Sequence, residues 1–161
     1  MKVVAVMQAR MGSSRLPGKV MLSLDDEPVI AHDIARVDAA STVDETVVAT
    51  STQTGDDIIE RYASRAGATV FRGSESDVLG RMFAAADESD ADIVVRVTAD
   101  CPLVAPEIID AVVEKLKETG ADYACTTIER TFPRGLGADA FTFESFETVE
   151  KRSTEPYERE H

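Results

Sequence analysis

Short valine-rich runs alternate with segments of helical period along almost the whole of this sequence, and that alternation limits the fold more than any other feature. Lys2 to Gln8 (KVVAVMQ) reads as a buried strand, and a loop containing Gly, Ser and Pro follows at 9–19. After Pro28, Ile30, Ile34 and Val37 recur at helical spacing, and Glu45 to Thr50 (ETVVAT) is the second strand. Thr54 is placed to cap a helix with Asp56 and Asp57 in its first turn, Ile58, Ile59, Tyr62 and Ala66 on its apolar face, and Gly67 as its stop. Ala68 to Phe71 is a third strand. Ser76 begins a helix with Asp77 in its first turn and Leu79, Phe83 and Ala86 along one side. Asp92 to Thr98 (DIVVRVT) is the fourth strand. Pro106 and Glu107 open a helix that carries Ile108, Val112 and Leu116 and ends at Gly120. Ala121 to Thr126 and Ala138 to Phe143 are the last strand candidates.

This order predicts the α/β class, a mostly parallel sheet flanked by helices and joined by right-handed crossovers. Sheets of this kind bind ligands at the carboxyl ends of their strands, so chemistry is expected in the loops after strands one to four. The 161 residues suit one domain, with no internal repeat or linker. The stretch from Glu147 to His161 is strongly charged, lacks a finished apolar pattern and reads as interrupted. No apolar run approaches the ~18 residues of a membrane span, and Met1 runs directly into a strand pattern, so a cytoplasmic protein is expected. Cys101 and Cys125 give neither a CxxC motif nor a zinc spacing.

Charge narrows the partners. Thirty acidic residues against 17 basic ones leave a formal net charge of −13, which repels a phosphate backbone over most of the surface and disfavours nucleic-acid binding. Only 5 of the 17 basic residues are lysines, which suits solubility in concentrated salt as well as it suits an ordinary acidic enzyme. Residues 1–24 depart from this balance, holding Lys2, Arg10, Arg15 and Lys19 and no acid.

That basic patch falls mainly in the first loop, ARMGSSRLPGK. Small residues let backbone N–H groups approach an anion, while Arg10, Arg15 and Lys19 supply charge-assisted hydrogen bonds to several phosphate oxygens. It is not a Walker A loop, because five residues separate Gly12 from Gly18 and Val20 stands where a magnesium-holding Ser or Thr belongs. Charge pattern alone equally describes a solvated loop whose arginines pair with surface acids. At the end of the fourth strand, Asp100 in RVTADCPL lies at the ligand edge of the sheet. Hard oxygen ligation of Mg2+ beside substrate phosphates makes it the first metal-ligand candidate, with simple organisation of the turn as the alternative.

The runs QARMGSSRLPGKVM, FRGSESDVLGRM and RVTADCPL, in this order and spacing, resemble the cytidylyltransferase-like family of spore coat polysaccharide biosynthesis protein F. That family is similar to the acylneuraminate and 3-deoxy-manno-octulosonate cytidylyltransferases. The resemblance implies the nucleotide-diphospho-sugar transferase fold, a Rossmann-like architecture. It also implies a Mg2+-dependent transfer of CMP from CTP to an acidic sugar, and it leaves a homodimer open. By position, Arg10, Arg15 and Lys19 would hold the triphosphate, with Ala9, Gly12, Ser13 and Ser14 near base and phosphates. Ser51 would belong to the loop closing over the base, Arg72, Ser74 and Asp77 to a second nucleotide-side motif, and Thr98 to the ribose or acceptor. Asp100 would bind the metal. Asp139, with Arg134 before it, would stand on the acceptor side as a second acid for the metal. In the family the segment beginning Arg159-Glu160-His161 continues into further elements, including a later metal-binding Asp. Two other functions fit the same residues: a nucleotide-binding module without catalysis, and a sugar-1-phosphate nucleotidyltransferase of the same fold.

Overall fold

The first strand is apolar on both faces because two layers of helices cover it. In the computed structural model, which describes residues 1–13, 15–128 and 132–160, β1 (Val3–Gln8) is one of the two inner strands of a set of four parallel strands. These are β5 (Thr69–Gly73), β4 (Glu45–Ser51), β1 and β6 (Ile93–Thr98) in spatial order. Counted from the β5 edge, β1 is third and β4 second, so β1 has a parallel neighbour on each side. Beyond β6 the sheet ends in β8 (Asp139–Thr142), antiparallel to β6, and β7 (Tyr123–Cys125), antiparallel to β8. The predicted α/β class and mostly parallel sheet are therefore what the chain forms.

Val3, Ala5 and Met7 point to one layer, against α1 (Val29–Asp38), α2 (Asp57–Arg65) and α4 (Pro106–Thr119). Val4 and Val6 point to the other, against α3 (Val78–Glu88) and α5 (Phe143–Arg152). The second layer is closed by aromatic contacts: Phe146 meets Phe83 and Phe141 edge to face at 5.6 and 4.8 Å between ring centroids. A fully buried aliphatic side chain contributes roughly 1.5–3 kcal/mol, so this two-sided burial holds the sheet together.

Four local features differ from the sequence reading. A small hairpin, β2 (Ser23–Leu24) and β3 (Glu27–Pro28), precedes α1, turning through Asp25 and Asp26 at φ 50° and 69°. Thr54 does not cap α2; it opens a 3-10 turn, Thr54–Asp56, and α2 begins only at Asp57. The strand candidate at 138–143 stops at Thr142, whose hydroxyl accepts the Ser145 N–H and starts α5. The charged stretch after Glu147 continues α5 and then forms α6 (Pro156–Glu160). Both helices were obscure in the sequence because α5 buries only Phe146 and α6 buries nothing, so neither leaves an apolar stripe to read.

Candidate active site

Gln8 and Thr98 are register partners at the carboxyl ends of β1 and β6, and the chain continues to β4 on one side of β1 and from β6 on the other. Such a switch point leaves a crevice between the departing loops. The first loop is folded back on itself: the Met11 carbonyl accepts the N–H of Ser13 at 3.0 Å and of Gly18 at 2.9 Å. Gly18 adopts φ 70°, the left-handed region glycine tolerates, and leads into a 3-10 turn, Lys19–Met21. This brings the Lys19 ammonium onto Asp100, to which it donates a hydrogen bond. Burial pushes the Asp100 carboxyl up, but hydrogen bonds from Lys19 and Thr98 and the Lys19 charge outweigh it and hold the carboxyl below its ordinary range. Asp100 is therefore ionised near neutral pH.

Around these groups lies a cleft of about 500 Å³. It is lined by Ala9, Arg10, Gly12, Ser13, Arg15 and Lys19 from the first loop and by Thr98 and Asp100 from the end of β6. The structure thus gathers one predicted set around a single space; Ser14 lies outside the described residues. Among the described lining residues, five are cationic (Arg10, Arg15, Lys19, Arg81, Arg96) and two are acidic (Asp100, Glu160). In a protein of net charge −13, this concentrates positive potential at one place.

The second predicted set is placed differently. The Ser51 hydroxyl is fully buried and donates to Asp56, away from the cleft lining. The Arg72 guanidinium donates to Asp57 and Glu60, both at 2.7 Å, and to the carbonyls of Ser51 and Gln53. Asp77 caps α3 by accepting the Gly80 N–H at 2.9 Å and takes both arms of Arg159. Arg159 holds its carboxyl below the usual range, against burial and with help from the Gly80 N–H. The Ser74 hydroxyl oxygen accepts the Asp77 N–H at 3.2 Å. None of these four residues is among those that line the cleft. Asp139 and Arg134 line a second cavity of about 190 Å³ that shares Thr98 with the first. There Asp139 accepts the Tyr123 hydroxyl at 3.1 Å. Asp100 and Asp139, the two metal candidates, thus open on different cavities.

Several residues of the site were missed in the sequence. Asp56 is 3% exposed and ties the first loop to α2, accepting the Met11 N–H at 2.7 Å together with the Ser51 hydroxyl. Glu160 reaches from α6 to Arg10 at 3.1 Å. Arg96 was visible as the one charge inside DIVVRVT after its opening Asp92, and Arg81 ends the run FRGSESDVLGR. Both face the cleft.

A cleft at the switch point of a mostly parallel sheet is where proteins of this α/β class take their ligands. The family follows from comparison: the cytidylyltransferase model matches residues 4–161, and the chain belongs to that family. It is 38% identical over 161 residues to the uncharacterized protein MJ1063 of Methanocaldococcus jannaschii, covering all of this chain and 65% of that protein. It is 36% identical over 125 residues to spore coat polysaccharide biosynthesis protein SpsF of Bacillus subtilis (75% of this chain, 52% of the relative). It is likewise 36% identical over 118 residues to the 3-deoxy-manno-octulosonate cytidylyltransferase of Pelobacter propionicus (72% and 45%). The chain thus spans about half to two thirds of the length of these relatives. A solved cytidylyltransferase from Leptospira borgpetersenii serovar Hardjo-bovis superposes with a TM-score of 0.95 at 38% identity, covering all of this chain and 68% of that one. The nucleotide-sugar transferase fold implied by the sequence motifs is the fold of this chain. Among the described residues no helix is long and apolar enough to cross a membrane.

Proposed function

We propose that the cleft binds CTP with Mg2+ and that the protein transfers CMP to a hydroxyl of an acidic sugar, releasing pyrophosphate, in the synthesis of a surface polysaccharide. The observation that carries this reading is the group of cations converging on one cleft of an acidic protein. The acceptor oxygen attacks the α-phosphorus, a new P–O bond forms, and the bond to the oxygen bridging to the β-phosphate breaks in line, leaving pyrophosphate. Arg10, Arg15 and Lys19 stabilise the negative charge that grows on the departing group, an effect strongest in a partly water-excluded cleft. The Arg10–Glu160 and Lys19–Asp100 pairs keep these cations in place until phosphate oxygens replace the carboxylates as partners.

The donor set suits Mg2+ in one particular way. Among the described residues no group of three or more His, Cys, Asp or Glu side chains is arranged to hold a metal. A single ionised carboxylate, Asp100, is what Mg2+ needs when phosphate oxygens and water complete its octahedron. Bound there, the ion would neutralise phosphate charge. The sugar would occupy the neighbouring cavity bounded by Thr98, Arg134 and Asp139.

The separation of Asp100 from Asp139 favours a second reading, a module that binds nucleotide without turning it over. A coupled pyrophosphate assay across a panel of sugar acids, run beside calorimetric CTP titration, distinguishes the two. Pyrophosphate release supports transfer; micromolar to millimolar CTP binding with no release supports the module; no CTP binding overturns both. A chain extended to the full length of the relatives is expected to release pyrophosphate more readily, because a mispositioned acceptor lowers the rate on the order of 100-fold.

A further inference from the structure

We propose that Arg81 is a further anion-binding residue of the cleft, one that grips the bound phosphate chain while locking the 74–75 loop against the first loop. The placement is unusual for an arginine. Arg81 sits in the first turn of α3 and is only 3% exposed, yet it lines the cleft. Its Nη1 donates to the Ser74 carbonyl and, at 3.4 Å, to the Glu75 carbonyl. Its Nε is buried with no partner, and among the described residues no carboxylate forms an ion pair with the guanidinium. Burial and then the charge of Arg10 lower its pKa, against the pull of Asp56, Asp77 and Glu75.

The backbone is shaped to admit it. A Cβ on Gly73 would stand 2.9 Å from the Arg81 Cγ and 3.3 Å from its Cβ, so a larger residue at the end of β5 would push the stem aside. The loop that Arg81 holds also touches the first loop, since a Cβ on Gly12 would lie 3.3 Å from Glu75 Oε1. A buried cation bound only to neutral carbonyls, and facing a second cation, is unfavourable in the unliganded protein. An anion between Arg81 and Arg10 turns that repulsion into shared attraction, which accounts for a charge in a position where an apolar side chain would pack well. The inference rests on the nucleotide reading only for the identity of the anion.

The test uses wild type, Arg81→Met, Arg81→Lys and Gly73→Ala, titrated calorimetrically with CTP and separately with inorganic tripolyphosphate, both with Mg2+, and melted without ligand. Arg81→Met is expected to weaken both ligands at least about tenfold, the scale of a lost charge-assisted bond, while the unliganded melting temperature stays level or rises. Arg81→Lys keeps the charge and loses less; Gly73→Ala displaces the stem and falls between. Unchanged affinity in Arg81→Met overturns the inference. So does a fall of about 5 °C or more in its unliganded melting temperature, or failure to fold, since either makes Arg81 a structural support. Wild type that binds tripolyphosphate but not CTP overturns the nucleotide reading alone, and the Arg81 comparison is then made on tripolyphosphate.

Discussion

Arg72 and Arg81 flank the same loop, one next to the end of β5 and the other near the start of α3, and their surroundings are opposite. Arg72 meets two carboxylates and two carbonyls, and the Asp57 hydrogen bond followed by that of Glu60 raises its pKa. Among the described residues, Arg81 donates hydrogen bonds to carbonyls and to no carboxylate. A similar contrast separates two acids: Asp77 receives both arms of Arg159, whereas Asp33, on α1, is fully buried and neither of its oxygens has a partner of ordinary geometry. Arg72 and Asp77 are thus saturated with counter-charge, while Arg81 and Asp33 have no ion-pair partner among the described residues. Saturated pairs stabilise local structure; unsaturated groups mark where the molecule departs from its most stable form, as functional sites do.

The largest expected effect concerns Asp33. Burial, only partly offset by the Cys101 N–H and reinforced by the Asp100 charge, pushes its pKa up to about 7. In the unfolded chain the same group titrates near the ordinary carboxyl value of 3.8, so between roughly pH 4 and 7 the folded state binds more protons and loses stability as pH rises. Denaturant titrations of wild type and Asp33→Asn at pH 4 and pH 8 should show the wild type losing roughly 2–4 kcal/mol relative to the variant. Parallel pH profiles would mean that Asp33 is solvated. Asp77 gives the opposite sign: its lowered pKa supplies stability above the unfolded value that disappears as pH falls, so Asp77→Asn should flatten the acid limb.

Next in size is Asp100→Asn. The fold should survive, since Asp100 takes part in no core contact, but the enhancement of CTP binding by Mg2+ should vanish and any transfer should fall on the order of 100-fold. Outright unfolding would return Asp100 to the role of a turn organiser. Lys19→Ala should then weaken CTP binding by roughly 1.5–3 kcal/mol, and an unchanged calorimetric affinity would remove the first loop from the site.

The smallest effect is on Arg72. Its partners are half exposed, so Arg72→Met should lower stability by about 1 kcal/mol and leave CTP affinity within twofold. A tenfold loss of affinity would break the contrast with Arg81 and restore Arg72 to the nucleotide motif.

Much of the fold was legible because its signal is local. KVVAVMQ and DIVVRVT are apolar on successive residues, which only a sheet covered on both faces explains, and the stripes of α1 and α4 recur at helical spacing. Where the apolar stripe thins, as in α5 and α6, the reading failed. The site divides in the same way. Arg10, Arg15, Lys19 and Asp100 could be chosen from charge in a small-residue loop and from position after a strand. Ser51, Arg72 and Asp77 could be named from the motifs, but their internal partners are not adjacent in sequence: Asp77 and Arg159 are 82 residues apart.

By itself, then, the sequence determined the layer architecture, the edge of the sheet where the cleft opens, and the concentration of positive charge in the first loop. Those properties follow from periodicity and charge type, which each residue carries wherever it is placed. Only the tertiary structure decided which cations remain open and which are neutralised. Whether an arginine holds a ligand or a neighbouring helix depends on which carboxylates the packing brings within hydrogen-bonding distance of it, and long-range contacts of that kind have no period and no fixed spacing along the chain.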